Sequence, residues 1–249
     1  MARVLVTGGR GDLGSRVVQR LREHGHEAVA AGRRGPIVLD VRRDEGLDAA
    51  LEGAEAVVHC ATHPAGRDAR EVEVEGTARV VRAAARAGVA HLVYVSIVGV
   101  DRVPYAYYRH KLHAEKVIDR GEVPWSILRA TQFFGFVARL LTTPPVLVAP
   151  RGFLLQPVAA EEVADRLVRA VEDGPCGRLR DLGGPEIVEV GELAAALRRT
   201  RRLRRPLLRP WLPGRLAAAV RAGGLTCPGG DRGAQIWQSW LSERWGGAG

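Results

Sequence analysis

The most constraining feature is a short apolar run that breaks into a glycine-rich turn and then a helix. Arg3-Val4-Leu5-Val6-Thr7 leads directly into Gly8-Gly9-Arg10-Gly11-Asp12-Leu13-Gly14, with glycines at 8, 11 and 14. Leu13, Val17, Val18 and Leu21 then recur at helical spacing. In such a turn one glycine permits the tight bend, one lets the backbone approach a diphosphate, and one lets helix pack closely on strand. The phosphates sit over unpaired N–H groups at the helix N-terminus. A lone glycine motif says little, but one placed between a predicted strand and a predicted helix points to dinucleotide binding.

The pattern that follows alternates β-branched runs with helical segments. Strands are expected at Glu27 to Ala31, Pro36 to Asp40, Glu55 to His59, His91 to Ser96 and Trp125 to Arg129. Helices are expected over Leu13 to His24, Asp44 to Leu51, Asp68 to Ala87 (ended by Gly88) and Ala106 to Arg120 (ended by Gly121). After the break at Thr142-Thr143-Pro144-Pro145 come helices over Glu161 to Val171, Gly191 to Arg199, Gly214 to Arg221 and Ala234 to Leu241. Strands are expected near Arg178 to Gly183 and Arg205 to Arg209. The fold class is therefore α/β: a Rossmann-type doubly wound parallel sheet with a small C-terminal substrate-side lobe. Residues 1–131 form the dinucleotide-binding core and 132–249 the smaller lobe of a single domain.

Composition narrows the function classes. Cys60, Cys176 and Cys227 are too few and too scattered for a disulfide framework or a zinc knuckle. His59 and His63 flank Cys60, but on a strand end they do not converge as they would on a helix, so no metal is expected. No apolar stretch approaches the length of a membrane span and no leader is visible, so a cytoplasmic location is expected. The net charge of +9 comes from 35 arginines, and the only lysines are Lys111 and Lys116. That skew reads as arginine in ordinary surface places, and no nucleic-acid or membrane partner is expected. It also makes the position of each lysine informative. Oligomeric state is not legible.

The end of the second strand reads Ala30-Ala31-Gly32-Arg33-Arg34, with no carboxylate to bond an adenosine ribose. Guanidinium groups bind phosphate through charge-assisted bonds, so Arg33, helped by Arg34 or Arg10, fits a 2′-phosphate. NADP(H) is expected over NAD(H). Asp40, ending the third strand, is a candidate for the adenine edge. Tyr107 and Lys111 sit four residues apart on one helical face, where an ammonium lowers a phenol's pKa. Ser96 ends the preceding strand, where its hydroxyl could orient a substrate carbonyl. Cys60, Ala61 and Thr62 are expected to line the adenosine-side crevice, and Thr131 and Gln132 to meet the nicotinamide carboxamide. The full expected cofactor set is Thr7, Gly8, Gly9, Arg10, Gly11, Asp12, Leu13, Gly14, Arg33, Arg34, Asp40, Val41, Cys60, Ala61, Thr62, Ser96, Tyr107, Lys111, Ala130, Thr131, Gln132 and Phe133. Phe133, Phe134, Phe136 and Phe153 fall within 21 residues, which suits a flat apolar substrate or simply the core of the lobe.

TGGRGDLG, YVSIVGVD, YYRHK and LRATQFFG together resemble the short-chain dehydrogenase/reductase superfamily, in particular its atypical, NmrA-like branch. The resemblance extends to LGGPEIVEVGELA near Leu182 to Ala194. It implies a Rossmann fold binding NAD(P)H, with Ser96, Tyr107 and Lys111 in the family's Ser-Tyr-Lys catalytic roles: carbonyl orienter, proton donor, and tuner of the phenol. The implied activity is NADPH-dependent reduction of a small, aromatic or conjugated carbonyl, quinone or imine compound. The alternative is a non-catalytic NAD(P)H-binding sensor or regulatory protein. The family's tetrad includes an Asn, and this chain contains none; where relatives read NVxGT it has Glu73-Val74-Glu75-Gly76-Thr77.

Overall fold

A computed structural model of the chain describes residues 1–34, 37–43, 45–63, 66, 68–143 and 145–246. The expected strand and helix starts at Pro36 and Asp44, and Pro144 of the expected break, lie outside the described residues. The chain forms two compact units: Met1–Ser96, Ala106–Arg129 and Glu161–Leu179 in unit one, and Ile97–Tyr105, Ala130–Ala160 and Arg180–Gly249 in unit two.

Unit one is built on parallel strands β1 (Arg3–Thr7), β2 (Glu27–Gly32), β3 (Ile37–Val38), β4 (Ala56–His59), β5 (His91–Ile97) and β6 (Trp125–Ala130), in the order β6-β5-β4-β1-β2-β3. Val4 pairs with Ala28 on one side and Ala56 on the other. Strand order reverses at β1, between β2 and β4, and that reversal opens a crevice at the strands' carboxyl ends. Two-residue periodicity sends Leu5, Val57, Leu92, Tyr94 and Ile127 to one face, where they bury against α2 (Leu47–Leu51), α3 (Thr77–Arg86) and α4 (Ala106–Asp119). The alternate residues Val4, Val6, Val58, Val93 and Leu128 are equally buried on the opposite face. There α1 (Asp12–Glu23) is tied to α6 (Ala160–Asp173) by Arg16–Glu161 at 2.6 Å and Arg20–Asp165 at 2.8 Å. Burying each Val or Leu contributes roughly 1.5–3 kcal/mol, so a sheet covered on both faces explains the continuous apolar run of β4.

The helix expected over Asp68 to Ala87 begins differently. Glu71–Gly76 is a π-helical turn that runs into α3. Thr77 Oγ1 donates to the Glu73 carbonyl at 2.6 Å, and Gly76 lies so close to Val41 that a Cβ would meet Val41 Cγ2 at 2.9 Å. Side-chain back-bonding of this kind bends a helix, and π-turns gather at functional positions.

Unit two contains α5 (Phe134–Thr142), α7 (Val190–Thr200), α8 (Arg215–Arg221) and α9 (Trp237–Trp245). Its strands are short: β7 (Leu147–Val148) pairs in parallel with β12 (Leu207–Leu208), and β8 (Leu154–Leu155) antiparallel with β11 (Val188–Glu189). The single strand expected over Arg178 to Gly183 divides into β9 (Gly177–Arg178), beside β6 in unit one, and β10 (Leu182–Gly183), which pairs with Ala130 and with β13 (Asp231–Arg232). Helix α5 was not anticipated, because its residues are apolar nearly all round and carry no polar–apolar period. Phe134 is buried with its ring 5.6 Å from Trp237 and 5.5 Å from Trp240, and Leu193, Leu197 and Leu241 complete this core. Phe134 and these tryptophans therefore build the core of the unit rather than a substrate lining.

Candidate functional site

The glycine turn of unit one has the geometry its sequence demands. Gly8 holds φ +66°, and a Cβ there would lie 2.8 Å from the Ala61 backbone. A Cβ on Gly14 would strike the Gly8 carbonyl oxygen, so helix and turn can meet only through glycine. Gly11 is the N-cap of α1 with no side chain capping it, and a Cβ on it would meet only the Gly8 oxygen, at 3.1 Å. The opening N–H groups of a helix have no intrahelical partner, and here nothing from a side chain at the cap takes their place. A diphosphate fits this cradle.

Beside it lies a cleft of about 800 Å³ lined by Gly8, Arg10 and Gly11 from the turn, Arg33 and Arg34 from the end of β2, Asp40 to Arg42, and Cys60 to His63. Arg10, Arg33 and Arg34 are exposed. Asp40 is gripped by Arg42, whose Nη2 donates at 2.7 Å and whose Nη1 reaches Asp68 at 3.1 Å. These bonds hold the Asp40 carboxyl below its ordinary range. Arg42 was missed in the sequence, where it is one arginine among many. Thr7, Leu13 and Val41 are buried, and Asp12 is engaged with Arg16 at 2.6 Å. Cys60 is buried, and burial pushes its thiol up to about 12.

Thr7 is committed inward. Its hydroxyl lies 2.6 Å from His59 Nδ1 and accepts the Ala61 N–H at 3.3 Å. His59 Nε2 is 3.1 Å from Thr77 Oγ1, whose proton goes to the Glu73 carbonyl. The histidine must then carry its proton on Nε2 and accept from Thr7 at Nδ1. Burial, with Lys111 nearby, lowers its pKa to about 4, so the ring is neutral.

The expected chemical residues meet around Glu73. Lys111, buried on α4, donates to the Val95 carbonyl at 2.9 Å, next to Ser96 on β5, and stands 4.2 Å from the centre of the Tyr94 ring. Its Nζ lies 3.4 Å from Glu73 Oε2. Glu73 Oε1 accepts from Thr62 Oγ1 at 2.5 Å, from the His63 N–H at 2.9 Å and from the Tyr107 hydroxyl at 3.3 Å. Tyr107 also lies 2.6 Å from Thr62 Oγ1. Because the Thr62 proton goes to the carboxylate, the phenol shares its one proton between Thr62 Oγ1 and the more distant Glu73 Oε1. Burial raises the Glu73 pKa, but Lys111 and these donors outweigh it and hold the carboxyl below its usual range.

The Tyr107 phenol departs from expectation. Lys111 does lower its pKa, but burial and the Glu73 charge win, and the phenol sits well above its ordinary value. It is a protonated donor at neutral pH. Ser96 is buried, and its Oγ has no hydrogen-bond partner among the described residues. Thr62, expected only as crevice lining, joins Tyr107 to Glu73. No signal in its own sequence context announced that role.

Ala130, Thr131, Gln132 and Phe133 belong to unit two. Ala130 ends β6 and is buried. Thr131 Oγ1 donates to the Gln156 carbonyl and Gln132 Nε2 to the Leu225 carbonyl at 3.3 Å, while Phe133 is the N-cap of α5.

Comparison with known proteins agrees with this geometry. The family model described as NAD(P)H-binding matches residues 8–174. An uncharacterized protein of Mycobacterium tuberculosis is 29% identical over 228 residues, covering 85% of this chain and 24% of that protein, so the chain spans about a quarter of its length. The (4-alkanoyl-5-oxo-2,5-dihydrofuran-3-yl)methyl phosphate reductase of Streptomyces griseus is 32% identical over 231 residues, covering 82% of this chain and 75% of that enzyme. Among solved structures, the NADPH-dependent quinone oxidoreductase of Escherichia coli in complex with NADPH superposes with a TM-score of 0.79 at 18% identity, covering 97% of this chain and 99% of that one. The chain thus belongs to the NAD(P)H-binding family, in the atypical, NmrA-like branch of the short-chain dehydrogenase/reductase superfamily.

Proposed function

We propose that the protein is an NADPH-dependent reductase of a small carbonyl, quinone or imine compound, aromatic or conjugated, with Tyr107 as proton donor. The observation that carries this reading is the buried Lys111–Glu73 pair with the protonated Tyr107 phenol bonded onto it. Burying two opposite charges is costly, and a chain with two lysines has placed one of them here. The nicotinamide supplies the hydride. The chain's residues handle the proton. Tyr107 gives up its phenol proton to the substrate heteroatom as the hydride arrives, and Lys111 stabilises the phenolate left behind. Thr62, bonded to the phenol and exposed to water, is placed to return a proton to it. Ser96, its hydroxyl unengaged among the described residues, orients the substrate carbonyl. Arg33, with Arg34 or Arg10, takes the 2′-phosphate, which favours NADPH over NADH.

The reductase from Streptomyces griseus acts on an alkanoyl-oxo-dihydrofuran phosphate and the Escherichia coli neighbour on quinones; both support a conjugated substrate. A second reading, nucleotide binding without turnover, draws on one observation: the Tyr107 proton is directed at Thr62 and Glu73. An NADPH-oxidation screen over quinones, aromatic ketones, enones and imines separates the two. The reductase reading predicts turnover with at least one class, and a loss of about 10²–10⁴-fold in the chemical step for Tyr107→Phe with NADPH affinity unchanged. Equal turnover in that variant eliminates the role of Tyr107, and silence across the panel favours the second reading.

A further inference from the structure

Excess charge is not spread evenly. Unit two holds 15 arginines against 7 carboxylates, a surplus of 8, while unit one is nearly balanced at 22 basic to 21 acidic side chains. Arginine bias alone would raise both units alike. Unit two also carries ten of the twelve large apolar side chains that stand exposed among the described residues.

The two features share one face. On the paired strands β7 and β12, Leu208 and Val148 are register partners, and both are exposed. Arg151, just beyond β7, bonds the Arg209 carbonyl at 2.9 Å, and its N–H bonds the Pro210 carbonyl, which places its charge beside this pair. Next along the chain, Trp211 is 62% exposed, and the Arg221 guanidinium lies 3.9 Å from its ring centre while bonding the Leu212 carbonyl. On the other side, Arg205 bonds the Thr142 carbonyl at the end of α5, the helix that exposes Leu140 and Arg139. The stretch from Arg198 to Leu216 contains eight arginines and no acidic residue.

We propose that this face of unit two docks on an anionic bilayer surface. Such a surface accepts both halves of the pattern. Guanidinium groups meet headgroup phosphates, while Trp and Leu side chains enter the boundary between headgroups and acyl chains. A second copy of the chain would bring like charge against like charge. A nucleic acid would satisfy the arginines but leave Leu140, Val148 and Leu208 without apolar cover, and Arg221 already occupies a face of Trp211. The contact is peripheral, since no described helix is long and apolar enough to cross a membrane.

Co-sedimentation with vesicles tests this, using the intact chain at about 0.1 M salt. Wild type should pellet with vesicles of about one-third phosphatidylglycerol in phosphatidylcholine, at least tenfold more tightly than with phosphatidylcholine alone. The double variant Leu208→Ser, Trp211→Ser and the separate variant Arg139→Glu should each lose tenfold or more while keeping the wild-type thermal transition and NADPH binding. No pelleting with the anionic vesicles, equal pelleting with both kinds, or unaltered binding by the double variant overturns the proposal. So does tighter retention by duplex DNA than by the vesicles. None of these outcomes depends on reductase turnover.

Discussion

At the scale of single residues, Glu73 is the position on which the site turns. Its carboxylate neutralises Lys111 within the fold. Glu73→Gln keeps an acceptor for Thr62 and the His63 N–H but leaves a buried ammonium without a counter-charge. Breaking a buried pair in this way typically costs about 3–5 kcal/mol, so urea unfolding of the variant should show a loss of that order. Replacing both partners, Glu73→Gln with Lys111→Met, should cost less than Glu73→Gln alone; a larger loss in the double variant would contradict the pairing. Of these residues, Tyr107 and Lys111 were legible in sequence through their spacing on one helical face. Thr62 was legible only as crevice lining, since a hydroxyl at the end of a strand run carries no mark of the carboxylate 11 residues on that it meets. The phenol's raised pKa was not legible, because burial is a property of packing that residue spacing does not encode.

At the scale of elements, the glycine turn was readable because each of its requirements is local. Gly14 illustrates this: the approach of α1 to the turn leaves no room for a Cβ. Gly14→Ala should lower the melting temperature by several degrees, as about 1–3 kcal/mol of overpacking implies, and should weaken dinucleotide binding by moving the helix N-terminus. Unchanged calorimetric melting and affinity would show that the turn tolerates a side chain there. The π-turn at Glu71–Gly76 was hidden. It goes with Gly76 pressed on Val41, a contact that only the assembled layers create, and with Thr77 bonding back to the Glu73 carbonyl, a bond that residue type alone does not announce. Helix α5 was hidden for another reason: Phe136 and Leu140 are apolar yet exposed, so the buried face of Phe134, Val137, Ala138 and Leu141 does not stand out as a polar–apolar period in the sequence.

For the molecule as a whole, the Rossmann-type parallel sheet followed from the alternation of strand and helix, whereas the partition of charge and exposed apolar surface between the units needed the folded chain. Buried ionisable groups set its response to acid. His59 is neutral in the fold with a pKa of about 4 against an ordinary 6.5, so between those values the unfolded chain binds a proton that the folded chain refuses. Stability therefore falls as pH drops from 6.5 to 4, by up to about 3 kcal/mol from this group, and His91, also lowered by burial, acts in the same direction. As pH falls from the ordinary 4.5 through the lowered value that Lys111 imposes, Glu73 loses its charge and removes a further contribution. Melting temperatures across pH 4 to 7 should show this slope, and His59→Gln should flatten it; an identical slope in the variant would place the acid sensitivity elsewhere.

In the proposed complex a dinucleotide lays its diphosphate on the open N-terminus of α1 and its 2′-phosphate on Arg33. Calorimetric titration of wild type and Arg33→Asp with NADPH and with NADH tests it most directly. Wild type should prefer NADPH by tenfold or more, about 1.4 kcal/mol, and the variant should lose this preference while still binding NADH. Equal affinities in wild type, or no heat from either nucleotide at millimolar concentration, would contradict it.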